Sequence, residues 1–129
     1  MEYYFSKILH TSFSNAETRV IEALKTEGFG VLTEIDMQSK LKEKLGVDFK
    51  KYKILGACNP SFAYKALQVE EKVGVMLPCN TVLIDKENGT IEVVIIHPVA
   101  LMMAIQNPAL ETYAKEITEK LKRVIELLK

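Results

Sequence analysis

The chain has 129 residues, 48% hydrophobic and 26% charged, enough for one domain that buries roughly two thirds of its unfolded surface. Lys+Arg and Asp+Glu balance at 17 each, so no overall field draws in nucleic acid or an anionic membrane. The start lacks the basic region and apolar stretch of a signal peptide, no run approaches the roughly 20 apolar residues that span a bilayer, and two cysteines without a CxxC pair fit a reducing, cytoplasmic setting.

Residues 3–10, rich in aromatic and β-branched side chains, predict a first strand. Ser14 then opens a helix with a capping box completed by Glu17. Ala16, Val20, Ile21 and Leu24 form its apolar stripe, and Gly28 supplies a left-handed stop. Residues 30–35 predict a second strand, and residues 39–45 a short charged helix ended by Gly46. Lysines gather over residues 40–53, but Glu43 and Asp48 interrupt them, the pattern of a solvated face.

A third strand over residues 52–57 runs straight into Cys58. Asn59 follows as a natural N-cap, with Pro60 at the first helical position, and that helix fades near Glu70. Residues 76–85 and 90–97 flank Asn88-Gly89, a strong signal for a two-residue hairpin turn. Asn107 caps the last helix, Pro108 starts it and Glu111 takes the capping-box position. Leu110, Ala114, Ile117, Leu121, Val124 and Leu128 give it one apolar stripe suited to lying across a sheet. The pairs Glu111–Lys115, Glu116–Lys120 and Glu119–Arg123 support its wet side.

The order strand–helix–strand–helix–strand–helix–strand–strand–helix describes a single α+β domain over residues 1–129, with helices against a mixed or mostly antiparallel sheet. No GxGxxG or Walker loop follows a strand. Chemistry-bearing residues concentrate at two Cys-Asn pairs, each tied to a proline. Cys58 precedes a helix N-terminus, where amides and dipole can lower a thiol pKa or hold an anion; a small buried filler is the alternative. Asn80 is unusual within a strand, and either caps a bulge or offers its amide to a ligand. A two-residue turn sets Asn80 opposite His97 on one face and turns Cys79 to the other. Pro78 implies an edge strand or a bulge. Cys58, Cys79, His97 and His10 have zinc-ligand chemistry but no zinc-site spacing, and a Cys58–Cys79 disulfide needs Cα atoms within about 7 Å. Met102 and Met103, with Ala100, Leu101 and Ile105, read as core or interface filler.

The segments Leu55-Gly56-Ala57-Cys58-Asn59-Pro60, Ala63-Tyr64-Lys65-Ala66-Leu67 and Gly74-Val75-Met76-Leu77-Pro78-Cys79-Asn80 resemble domain-of-unknown-function family 302. Gly28-Phe29-Gly30-Val31, Glu34-Ile35-Asp36-Met37 and Asn107-Pro108 fit the same pattern. The resemblance covers almost the whole chain and implies a small α+β fold and a homodimer, with no established activity. It also implies that Cys58, Asn59, Cys79 and Asn80 share a site.

Three functions remain open. The leading expectation is a non-catalytic binding or accessory protein. Its site is Cys58, Asn59, Pro60, Cys79, Asn80 and His97, its ligand a small molecule or an anion, with no metal and no cofactor specified. The second is a thiol enzyme or redox protein using Cys58, assisted by Asn80 or His97. The third is a structural module in which residues 99–105 make a dimer.

Overall fold

The computed structural model describes residues 2–129. The chain runs β1 (Tyr4–Leu9), α1 (Phe13–Thr26), β2 (Gly30–Asp36), α2 (Met37–Leu45), β3 (Tyr52–Cys58), α3 (Pro60–Val69), β4 (Cys79–Asp85), β5 (Ile91–Ile96), α4 (Val99–Ala104) and α5 (Glu111–Leu127), with 3-10 turns at Glu71–Met76 and Pro108–Leu110. The five strands form one sheet in the order β1-β5-β4-β3-β2, antiparallel at every pairing. This is the expected α+β class, with the sheet's sense now fixed.

Side chains alternate across a strand, and the odd-numbered positions of the four strands other than β2 face the helices. Leu9, Leu55, Ala57, Leu83, Ile91, Val93 and Ile95 join one core cluster with Ala16, Val20 and Leu24 of α1 and Phe62 and Ala66 of α3. The α5 stripe closes that cluster, for Ile117, Leu121, Val124 and Leu128 are all buried. Each large aliphatic side chain so covered contributes roughly 1.5–3 kcal/mol. Among the described residues, no helix is long and apolar enough to cross a membrane.

Several local expectations shift. Helix α1 begins two residues earlier than the capping box implied: Ser12 is the N-cap, its Oγ accepting from Asn15 N–H at 3.1 Å. Glu17 is occupied elsewhere, with both carboxylate oxygens 3.1 Å from Lys53 Nζ. Asp36 caps α2 by accepting from Ser39 N–H, and Gly28 and Gly46 take the left-handed conformation at φ +85° and +68°. None of the three anticipated i,i+4 pairs of α5 is among the ion pairs of the described residues. Arg123 instead reaches Glu27 beyond the end of α1, with Nη2 at 2.9 Å from Oε1, a contact that ties two helices together.

Strand β4 is the central strand rather than an edge. Pro78 does not conflict with that position, because it lies just outside the strand, where no ladder bond requires its missing N–H. Of the apolar residues 99–105 all but the last form the short helix α4, in which Leu101 is buried; Met102 and, just beyond the helix, Ile105 pack against the core.

Candidate functional site

The hairpin register decides which candidate residues meet. The ladder pairs Thr81 with Ile95, Leu83 with Val93 and Asp85 with Ile91, one residue away from the register of a two-residue turn. The loop holds three residues, Glu87-Asn88-Gly89, closed by Lys86 N–H donating to Thr90 O at 3.0 Å. Side chains lengthen it: Asp85 Oδ1 accepts from Glu87 N–H at 2.8 Å and Asn88 Oδ1 from Thr90 N–H at 3.1 Å. Such turns let Asp and Asn satisfy backbone donors two residues on. A slip of one residue exchanges the faces. Continued along the strands, the register sets Cys79, not Asn80, alongside His97, so the expected Asn80–His97 face is overturned.

The residues of the two Cys-Asn pairs therefore divide. Cys79 sits opposite Ala57 on the helix side and is 5% exposed, and burial, with Cys58 nearby, pushes its thiol up to about 11. Cys58 ends β3 in step with Gly56 on the opposite face, and burial raises its pKa as well. Both thiols are free. For Cys58 the direction is upward, with desolvation as its cause, because burial disfavours the thiolate.

Asn59 and Pro60 build a corner. Asn59 Oδ1 accepts from Phe62 N–H at 3.2 Å to cap α3, while its Nδ2 donates to Glu27 O at 3.3 Å. One side chain thus joins the start of α3 to the end of α1. Gly28 lies directly beneath, where an added Cβ would come 3.2 Å from that Nδ2. Asn80 faces the side away from the helices, opposite Gly56, and is exposed. Its amide has no hydrogen-bond partner among the described residues.

Sequence reasoning missed Thr33. Leu32 is the extra residue where the β2–β3 register shifts, and beyond it Thr33 pairs with Gly56. A methyl group on Gly56 would collide with Thr33 Oγ1 and lie 2.7 Å from Pro78 Cγ. Glycine is required because Thr33 and Pro78 close over the strand. Thr33, Cys58 and Asn80 thus frame one end of the face away from the helices.

The rest of that face is apolar. Tyr52 and Ile54 of β3, Val82 and Ile84 of β4, Val94 and Ile96 of β5 and Tyr4 of β1 stand on it half-buried, with Ile8 and Ile35 at its margins. Of these residues none belongs to the core cluster or packs against it. Among its strand residues the one carboxylate, Glu92, pairs with Lys86 at 3.4 Å, and Glu2 lies beside the Tyr4 hydroxyl at the margin. The signal was present in the sequence: Thr81-Val82-Leu83-Ile84 and Val93-Val94-Ile95-Ile96 are nearly continuous apolar runs, the pattern of strands covered on both sides.

His97 lies apart, at the helix side. Its Nδ1 accepts from Val99 N–H at 3.1 Å and its ring stacks on Phe5 with centroids 4.5 Å apart. Burial, reinforced by Lys122, lowers its pKa from the usual histidine value, which favours the neutral ring. Among the described residues no three of His, Cys, Asp and Glu converge as metal ligands would.

Residues 5–128 match the family model described as "Domain of unknown function DUF302". A crystal structure described as an uncharacterized conserved protein DUF302 from Bacillus stearothermophilus is similar along the full length of both chains, with 32% identity and a TM-score of 0.91. No curated protein matches the chain.

Proposed function

The chain belongs to the DUF302 family, and we propose that it acts as a non-catalytic binding protein whose working surface is the uncovered face of the sheet and whose first partner is a second copy of itself. The observation that carries this reading is the apolar character of a sheet face with no helix over it. An antiparallel sheet with one wet face normally alternates apolar and polar residues; here both faces are apolar along β4 and β5.

Size and charge support a second copy. Five strands and six residues of length give a face of about 24 Å by about 20 Å. That is roughly 480 Å² per copy and about 1,000 Å² for two, near the lower bound of a specific interface. With Glu92 paired to Lys86, the strands themselves bring no unpaired carboxylate to the seam, and sheets stack face to face through interdigitating Ile and Val. Helix α4 is the weaker candidate for a dimer contact, since it is only six residues long and Met103, 76% exposed, is its one large apolar side chain that stands fully exposed.

Thr33, Cys58 and Asn80 then border the dimer seam and supply its polar contacts, for the second copy or for a small ligand held there. A thiol enzyme has less support, because burial raises both cysteine pKa values and a thiol is nucleophilic as the thiolate. The test is light scattering on a sizing column with wild type and Val94→Lys. Wild type is expected at twice the chain mass and the variant at one chain mass, with an unchanged circular dichroism spectrum. A wild type that stays monomeric at every concentration, or a variant that stays dimeric, overturns the reading.

A further inference from the structure

Between α4 and α5, on the helix side of the sheet and away from the proposed dimer face, lies a groove of about 400 Å³. Small-molecule sites occupy roughly 300–1,000 Å³ and are mostly apolar with a few placed polar groups. Val99, Met102 and Ala114 supply the apolar wall, and His97 and Thr118 supply polar atoms.

The imidazole is held on two sides. Because Nδ1 accepts from Val99 N–H, the proton of the neutral ring resides on Nε2, and stacking on Phe5 fixes the ring plane. Nε2–H has no acceptor among the described residues. The Thr118 hydroxyl donates to Ala114 O at 2.7 Å, so its hydrogen is committed and its oxygen remains an acceptor.

Charge around the groove cancels. Glu119 pairs with Lys122 at 3.6 Å, while Glu111 and Lys115 both line the groove, one charge of each sign, without forming an ion pair. A net anion or cation therefore gains little from this surface, whereas an oxygen that can accept from a fixed N–H gains a hydrogen bond.

We propose that this groove binds a small, neutral, mainly apolar molecule through a carbonyl oxygen that accepts from His97 Nε2–H. Three probes of similar size separate the components: acetophenone carries the carbonyl, ethylbenzene lacks any acceptor, and benzoate adds a charge. Each is titrated into ¹⁵N-labelled protein while the amide signals of Val99, Met102, Ala114 and Thr118 are followed. Acetophenone is expected to move these signals saturably and to bind about tenfold more tightly than ethylbenzene, the scale of one net hydrogen bond. His97→Asn keeps an oxygen for Val99 N–H but removes the distal donor, so acetophenone should fall to the ethylbenzene level. His97→Gln, whose amide reaches the place of Nε2, should recover part of the difference. Equal binding of acetophenone and ethylbenzene, preference for benzoate, unaltered binding by His97→Asn, or no saturable shift with any probe would each overturn the proposal.

Discussion

On one face of the sheet Leu55, Leu83, Val93 and Ile95 are completely covered by helices, whereas on the other Ile54, Val82, Val94 and Ile96 are half-buried and stand outside the core cluster. The side chains are of the same kind and sit on the same three strands; only parity separates them. Residues of the first set hold the single chain together. Those of the second set are apolar without being needed for that, which is the signature of a surface reserved for association.

Substitutions that strike one face at a time sharpen this contrast. The largest effect is expected from Leu83→Ala, which empties a fully covered site and should cost about 2–5 kcal/mol. Measured by urea unfolding in a Val94→Lys background, to remove association, Ile54→Ala should cost less than about 1 kcal/mol. Equal costs at the two positions would erase the distinction between faces.

Gly56→Ala comes next. Its methyl group would collide with Thr33 and crowd Pro78, an overpacking expected to cost roughly 1–3 kcal/mol. Adding Thr33→Ala should return part of that stability, and no recovery would mean that the two residues do not compete for the space.

Thr81 offers a smaller effect of opposite sign. It is 1% exposed on the helix side, and its hydroxyl has no hydrogen-bond partner among the described residues. Thr81→Val keeps the shape and removes the unsatisfied group, so a gain of about 1 kcal/mol is expected from urea midpoints; a loss would reveal a partner for that oxygen.

Smallest is the pH response of His97. Its folded pKa is depressed, so below the unfolded value of about 6.5 the unfolded chain takes up a proton before the folded one does. That contribution to stability is fully present above about pH 6.5 and is lost as pH falls through the folded pKa. Urea midpoints between about pH 7.5 and about pH 5.5 should fall more steeply in wild type than in His97→Asn; parallel slopes would remove His97 from the account.

Much of the fold was legible because local chemistry agreed with the final packing. Gly28 and Gly46 end their helices in the left-handed conformation, Asn59 caps α3 as its position implied, and the α5 stripe is buried residue by residue, although Asn107 caps the 3-10 turn before α5 rather than α5 itself. The errors arose where side chains redirected the backbone. Asn88-Gly89 reads as a two-residue turn, yet Asp85 and Asn88 each bind a backbone N–H and lengthen the loop by one residue. That single residue moved His97 away from Asn80. Thr33 was hidden because an irregularity at Leu32 sets its face, and no local pattern announces such a bulge. The Cys-Asn pairs do mark one corner of the molecule, but the cap at Asn59 and the burial of Cys79 account for half of each pair.

The central claim is that the uncovered sheet face joins two copies. Its most direct test is an isotope-filtered NOE experiment on a mixture of ¹³C-labelled and unlabelled protein, which reports only contacts between copies. The account predicts intermolecular NOEs among the methyl groups of Ile54, Val82, Val94 and Ile96. Intermolecular NOEs from α4 alone, or none in a protein that is dimeric by mass, would contradict it.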